Sequence, residues 1–241
     1  MGVQTVLREI ESLLLENKQT EAEELLLQKL QEAKGNDIER LSYLNEQIKL
    51  YCEQGRAGEC MKGVTEALSL VQNQEIKGSF LYGKTLLCCA TAFRVCGQPK
   101  EALPLYLEAY NIYKERLHPN DYRFAGLYNE LGVTYEELSQ FLEAEECFKK
   151  ALAIMEGLPR GEMELAVTHT NLACIYARTN KEDKVEYHRT RAKHYFNSNM
   201  IFHGGYFAYN CLKCAEQFEK LGYEEDAKEL KEKARLVYEK R

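Results

Sequence analysis

The sequence lacks a long apolar run, which excludes a transmembrane helix. The longest stretch without a charged residue, from Tyr195 to Leu212, contains three asparagines, a histidine and two glycines, and is too polar to cross a bilayer. The N-terminal region also lacks the continuous apolar segment of a signal peptide, because Arg8, Glu9 and Glu11 interrupt it. We therefore expect no membrane span and no membrane partner.

The chain has no excess of positive charge either. It holds 32 Lys and Arg residues against 38 Asp and Glu residues, for a net charge of −6. This balance offers no general electrostatic attraction for polyphosphate, so nucleic acid is not expected as the main partner. Hydrophobic residues make up 45% of the 241 residues, which is enough to fill the core of a folded protein.

The nine cysteines do not form a recognisable disulfide framework, because their number is odd and they are scattered through helical segments. We expect reduced thiols in a cytoplasmic protein. Cys211 and Cys214 form a CxxC pair, but no second pair accompanies them and His203 is the only imidazole nearby. This pattern predicts buried, unreactive thiols, and neither a metal nor another cofactor.

A repeat of about 42 residues runs through the whole chain. Its clearest marker is a small residue that follows a turn. In chain order this residue is Ala22, Cys60, Ala102, Ala144, Val185 and Ala227, with spacings of 38, 42, 42, 41 and 42 residues. On either side of each turn, apolar residues recur every three or four positions. Each of the six repeats is therefore predicted to form two amphipathic helices joined by a short turn.

The fourth repeat shows the pattern best. Its first helix places Leu131, Gly132 and Tyr135 on one face, and its second helix places Ala144 and Phe148 on another. Small residues let two helix axes approach closely, while large aromatic side chains fill the space around them. The fourth repeat is therefore predicted to be a close-packed helical hairpin.

This order and spacing resemble the tetratricopeptide repeat signature. The fourth repeat reads Leu131-Gly132-x-x-Tyr135, then Ala144-x-x-x-Phe148 and Ala151; the third reads Cys89-Ala90-x-x-Phe93, then Ala102-x-x-x-Tyr106 and Ala109; the fifth has Leu172-Ala173-x-x-Tyr176 and Ala192. Standard repeats of this family have about 34 residues, and the longer repeat here resembles the kinesin light chain type. The sequence shows no coiled-coil heptads, so a motor role is not implied.

The resemblance implies an all-α, right-handed superhelical solenoid of six helix-turn-helix repeats. We expect a single domain over residues 1–241, with repeats at about 3–36, 38–73, 79–118, 121–158, 162–198 and 204–241. A lone hairpin cannot bury its apolar face, so neighbouring hairpins must stack, which creates an extended concave surface. Function is expected on that surface.

In the family geometry the first helix of each repeat lines the concave groove, and its polar side chains are the candidate partner-binding residues. They are Asn45, Lys49, Lys84, Arg94, Asn129, Asn171, Arg178, Tyr209 and Lys213. Asparagine can bond a peptide backbone, and lysine or arginine can bind a carboxylate. The resemblance implies a non-catalytic scaffold or adaptor that binds a peptide or an extended protein segment, with a peptide-responsive regulatory protein as the alternative.

One string favours an enzyme instead. Residues from Gly78 to Thr85 match the phosphate-loop pattern G-x-x-x-x-G-K-[ST] letter for letter. That loop requires a preceding buried strand, whereas the stretch from Val64 to Val71 is amphipathic and helical in pattern. We therefore expect Lys84 to lie on a helix, and nucleotide binding at residues 78–85 stays only as an alternative.

The histidines and the C-terminal aromatic residues define no catalytic arrangement. His188 and His194 flank basic residues and are expected on a solvated helix face. His118 and His169 have no acid or nucleophile at a recognisable spacing, so no triad is predicted. The aromatic segment 195–209 is either a patch for self-association or part of the packing between repeats. The outer end of the terminal repeat is a second candidate for self-association.

Overall fold

The computed structural model describes residues 2–16, 18–158, 161–199, 201 and 204–239. Within these residues the regular structure is entirely α-helical, with twelve helices joined by short connections. The chain divides into two compact units, one up to Pro119 and the other from Asn120 onwards. Each unit contains six helices, paired in chain order as three hairpins.

The twelve helices form six hairpins in chain order. In the first unit the helices are α1 (Val3–Leu15), α2 (Gln19–Glu32), α3 (Asp37–Glu53), α4 (Ala57–Leu70), α5 (Phe80–Val95) and α6 (Pro99–Arg116). In the second unit they are α7 (Tyr122–Glu137), α8 (Phe141–Met155), α9 (Glu162–Arg178), α10 (Glu182–Phe196), α11 (Gly205–Lys220) and α12 (Glu224–Glu239).

The turn inside each hairpin has a fixed backbone geometry. In the second to sixth repeats, one residue at the same position in the turn has a positive φ, which is the left-handed conformation that favours glycine. These residues are Gly55, Gly97, Ser139, Asn180 and Gly222. In the fourth repeat the Gln140 amide then donates to the Tyr135 carbonyl at 2.8 Å, which closes the end of α7. This geometry sends the chain back along the first helix.

Small residues bring the two helices of a hairpin together, as the sequence predicts. A Cβ atom added to Gly132 on α7 would lie 2.5 Å from the ring of Phe148 on α8. Phe148 and the adjacent Ala144 and Ala151 are fully buried. Real Cβ atoms do not approach carbon this closely, so the packing of Phe148 requires glycine at position 132.

Buried carboxylates add polar ties inside the second unit. Glu145 on α8 accepts hydrogen bonds from the Tyr176 hydroxyl at 2.9 Å and from Lys149 at 2.6 Å, and pairs with Lys181 at 3.3 Å. Burial alone would raise the pKa of Glu145, but these donors outweigh it and lower the pKa to about 2. Asp226 on α12 is buried and pairs with two basic residues of α10. Both carboxylates therefore link one repeat to the next.

The predicted fold class is confirmed: the chain is all-α and consists of six helix-turn-helix repeats in the part that the structure describes. The handedness of a superhelix and the single domain over residues 1–241 stay predictions.

Candidate binding surface

The first helices of the second unit, α7, α9 and α11, lie side by side. Three side-chain contacts join them: Thr168 on α9 donates to Asn129 on α7 at 3.0 Å, the Cys174 thiol lies 3.5 Å from the Gln217 amide oxygen on α11, and the Tyr206 hydroxyl lies 3.5 Å from Glu164. These contacts place one row of side chains from each helix on a shared surface, which we call the first-helix surface of the second unit.

A group of charged side chains crosses the first-helix surface. Glu136 on α7 interacts electrostatically with Arg178 on α9 and Lys220 on α11. Burial raises the pKa of the half-buried Glu136 carboxyl, although the two cations oppose this. All three charges also act on Cys174, whose thiol is buried beneath them and has a raised pKa because of that burial. The charges of three consecutive repeats therefore meet above Cys174.

Three cations on this surface have no ion-pair partner among the described residues. Arg178, Lys213 and Lys220 are all exposed. Arg178 lies over the ring of Phe141 at 5.4 Å, and Lys213 lies 5.8 Å from the ring of Tyr209. Several cations elsewhere in the same unit are paired; Lys149, for example, lies 2.6 Å from Glu145. With no carboxylate of the described chain at ion-pair distance, these three cations can bind a carboxylate from outside the chain.

Asn171 completes the set of available polar groups on α9. It is half-buried, and within the described part of the chain its side chain forms no hydrogen bond. It lies two turns before Arg178 on the same helix. An amide at this position can donate to and accept from an extended backbone. The structure therefore brings Asn171, Arg178, Tyr209 and Lys213, all predicted from the sequence, onto neighbouring helices of one unit.

Two predicted binding residues are engaged in the packing of the repeats instead. Asn45 on α3 is 2% exposed and donates to the Thr85 hydroxyl on α5 at 3.0 Å. Asn129 accepts from Thr168 at the equivalent position of the fourth and fifth repeats. Each asparagine thus ties the first helix of one repeat to that of the next. Burial removes Asn45 from the exposed surface, and sequence periodicity alone did not reveal this.

The remaining predicted binding residues lie in the first unit. Lys49 is exposed on α3, close to Glu53, whose carboxyl pKa is raised by burial and lowered in part by Lys49. Lys84 on α5 pairs with Glu46 at 3.2 Å. Arg94 is half-buried near the end of α5. The Lys84 amine is thus already matched by a carboxylate of the same unit.

The phosphate-loop string is part of a helix. Ser79 caps α5 by accepting from the Tyr82 amide at 3.1 Å, and the Gly83 amide bonds the Ser79 carbonyl at 3.2 Å. A Cβ on Gly83 would lie 2.9 Å from Ile112, so this glycine serves helix packing. Thr85 is buried. The Tyr82 and Gly83 amides are bonded within the first turn of the helix, and the element that precedes the string is α4 in place of a buried strand. The nucleotide-binding alternative is therefore wrong for this string.

The two cysteines of the CxxC pair are buried, as predicted. Cys211 and Cys214 are 0% and 4% exposed, and burial raises the pKa of each thiol to about 12. Such thiols hold their protons and react slowly. Among the described residues no group of three or more His, Cys, Asp or Glu side chains is arranged to hold a metal ion.

The prediction for His188 is wrong. It is buried between α9 and α10, with its Nδ1 2.7 Å from Nδ1 of His169. Tyr176 stacks on His188 and Tyr195 stacks on His169. Burial lowers the pKa of His169 to about 3 and that of His188 to about 4. Periodicity could have placed His188 on the inner face of α10, because it follows the buried Val185 by three positions.

The aromatic segment 195–209 is split between two environments. Phe196 and Phe207 are almost fully buried in the core of the second unit, as packing between repeats requires. Tyr206 and Tyr209 are 58% and 38% exposed. Phe202 lies outside the described residues. Within those residues, none of the helices is both long and apolar enough for a membrane span.

Comparison with known proteins agrees with this architecture. The tetratricopeptide repeat family model matches residues 123–192, which cover the fourth repeat and most of the fifth. A search of curated proteins finds no match.

Solved structures share the fold at low sequence identity. BtubC (BKLC) from P. vanneervenii is 18% identical, with a TM-score of 0.61 over 93% of this chain and 91% of that one. A Podosopora anserina kinesin light chain structure with nearly identical TPR-like repeats has 18% sequence identity to this chain. Its TM-score is 0.59, and the match covers 86% of this chain and 98% of that one. NprR in complex with its cognate peptide NprX is 17% identical, with a TM-score of 0.67 over 96% and 66%.

These likenesses concern the fold, because the identities are too low to carry a function. Residues 123–192 match the tetratricopeptide repeat family model, and the chain shares the all-α repeat fold of the kinesin light chain-like structures.

Proposed function

We propose that the chain is a non-catalytic binding module of the cytoplasm that holds an extended polypeptide segment on the first-helix surface of the second unit. The observation that supports this is the set of exposed cations on α9 and α11, Arg178, Lys213 and Lys220, which have no ion-pair partner within the described residues. Exposed polar groups on a rigid helical scaffold are typical of recognition sites.

The chemistry of these groups defines the ligand class. Asn171 bonds the backbone of the segment, while Arg178 and Lys213 bind a carboxylate from an acidic side chain or a chain terminus. Tyr209 offers an exposed ring beside Lys213. Glu136 repels additional negative charge near α7, so the acidic group of the ligand is oriented toward α11. A short segment held this way would bind with a Kd of about 1 μM, or roughly −8 kcal/mol.

A peptide array tests the proposal. Arrays of extended peptides with acidic, neutral and basic sequences are probed with the wild-type chain, and we expect retention on the acidic set. The variant Asn171→Ala/Arg178→Ala/Lys213→Ala should lose about tenfold or more in affinity with an unchanged melting temperature. The matched control Lys228→Ala/Arg235→Ala removes two exposed cations from α12 and should bind normally. Equal losses of affinity in both variants would show that only the net charge of the chain matters, and would refute the proposed site.

The likeness to NprR with its bound peptide favours a second candidate, a peptide-responsive regulatory protein. In this case the bound segment also changes the arrangement of the repeats. Small-angle scattering with and without the best peptide from the array separates the two functions. A changed scattering curve supports the regulatory protein. An unchanged curve contradicts it and supports the binding module as the only one of the two functions.

A further inference from the structure

Three cysteines of the first unit converge on one point. Cys52 lies in the last turn of α3, Cys60 in the first turn of α4, and Cys96 is the residue that ends α5. The Cys52 and Cys60 sulfur atoms are 3.0 Å apart, and Cys96 lies close enough to Cys60 for each to affect the pKa of the other's thiol. Cys60 is fully buried in the middle, while Cys52 and Cys96 are half-buried. We call these residues the thiol triad.

The placement of Cys60 is particular to the second repeat. It occupies the small-residue position that follows the turn, where four of the six repeats have alanine. The turn at Gly55 folds α4 back on α3 and brings Cys60 against Cys52. Helix packing at this position therefore needs only a small side chain. A thiol group adds chemistry that the packing does not require.

We infer that the thiol triad is a site of reversible disulfide formation, in which Cys60 is the partner of Cys52 and hydrogen peroxide is the oxidant. A disulfide bond is about 2.05 Å long, so the two sulfur atoms need to approach by about 1 Å. Side-chain rotation in the last turn of α3 and the first turn of α4 supplies a movement of this size.

The reaction has two balanced steps. The Cys52 sulfur attacks one oxygen of the peroxide and the O–O bond breaks, which gives a sulfenic acid on Cys52 and one water that carries away the thiol proton. The Cys60 sulfur then attacks the Cys52 sulfur, the S–S bond forms and the S–O bond breaks. The leaving hydroxide takes the Cys60 proton and becomes a second water. Two thiols are oxidised by two electrons in total, and one peroxide is reduced.

The exposure of each cysteine and the distance between their sulfur atoms assign these roles. Cys52 is half-buried and therefore reachable by peroxide. Cys60 is shielded from solvent but its sulfur lies 3.0 Å from that of Cys52, so it meets the sulfenic acid by direct contact in the second step. Cys96 is also half-buried, and its attack on Cys60 would release the Cys52 thiol and move the bond to the Cys60–Cys96 pair. Either pair contains Cys60 and links helices of the first unit.

Mass spectrometry of the intact chain tests the inference. The reduced protein is exposed to a slight molar excess of hydrogen peroxide, its free thiols are blocked with N-ethylmaleimide, and it is digested without reduction. We expect a disulfide-linked peptide that contains Cys60 with Cys52 or Cys96. The melting temperature should rise by roughly 5 °C, because a short loop is closed, and dithiothreitol should reverse both changes.

Two variants make the test specific. Cys60→Ala restores the residue found in most repeats and should fold, yet oxidation should stop at a sulfenic acid on Cys52, which dimedone traps. Cys211→Ala removes a buried thiol of the second unit and should leave the linked peptide unchanged. A wild-type chain whose Cys52 is oxidised without any Cys60 disulfide would overturn the inference. A Cys52–Cys96 disulfide in the wild-type chain would overturn it as well.

Discussion

Acidification from pH 7 to pH 5 should destabilise the second unit through the pair of buried histidines. His169 and His188 share one short hydrogen bond between their Nδ1 atoms, which requires that one ring donates and the other accepts. Arg191 faces His169, and Lys184, Lys149 and the carboxylate of Glu145 surround His188. Burial together with the nearby cations lowers the pKa of both rings, to about 3 for His169 and about 4 for His188.

Acidification lowers stability because the unfolded chain takes up more protons than the folded chain. Above pH 6.5 both histidines are neutral in either state, so the pair causes no loss of stability. Below pH 6.5 the unfolded chain takes up protons that the folded chain refuses, until the pH reaches the lowered pKa values. Each pH unit in this window costs about 1.4 kcal/mol per histidine, which gives about 2 kcal/mol for each ring at pH 5 and about 4 kcal/mol for the pair.

Urea unfolding followed by far-UV circular dichroism at pH 7 and pH 5, at constant ionic strength, measures this loss. His169→Gln and His188→Gln should each recover about half of it, about 2 kcal/mol, whatever their stability at pH 7. His194→Gln, which replaces an exposed histidine of the same helix, should behave as the wild type. The half-buried carboxyl of Glu136 has a raised pKa because of its burial and opposes the trend, but it contributes equally to all variants. Identical losses in all four proteins would refute the reasoning.

Three further substitutions test the packing of the second unit. Gly132→Ala pushes a Cβ into the ring of Phe148 and should cost about 1–3 kcal/mol in urea unfolding, and a cost near zero would show that α7 and α8 separate freely. Ser139→Gly removes the strain of a left-handed serine and should raise the free energy of unfolding by about 0.5–1 kcal/mol. Asn180→Gly should change that free energy little, because asparagine tolerates the left-handed conformation. A larger gain for Asn180→Gly than for Ser139→Gly would contradict this reasoning. Asp226→Ala removes the buried partner of Arg189 and Lys193, which keep their pairs with Glu186 and Glu229, and should lower the free energy of unfolding by about 1.5–3 kcal/mol. A loss near zero would show that water replaces the carboxylate.

The spacing of the apolar residues predicted most of the fold. The small residue after each turn and the three- and four-residue spacing around it depend only on local geometry, so they located twelve helices within the described chain. Gly132 is a good example. Its role in admitting Phe148 could be predicted because the two residues lie in one hairpin, where the register is set by a short turn.

The candidate binding surface could be predicted only in part. Asn171, Arg178 and Lys213 are exposed or half-buried as expected, because their positions on the first helices follow from the repeat. Asn45 on α3 and Asn129 on α7 also lie on first helices, yet each side chain bonds a threonine of the next repeat. Local spacing does not distinguish an available polar side chain from one that bonds the next repeat.

The sequence by itself determined the number of repeats, the helical hairpin as their unit and the small residues that let its helices meet, because all of these depend on contacts between residues close together in the chain. Only the tertiary structure decided which polar groups face another repeat. The His169 and His188 rings, the thiol triad and the asparagine ties each depend on how far one helix is rotated against the next. That rotation is set by the packing of many side chains at once, and no short sequence pattern encodes it.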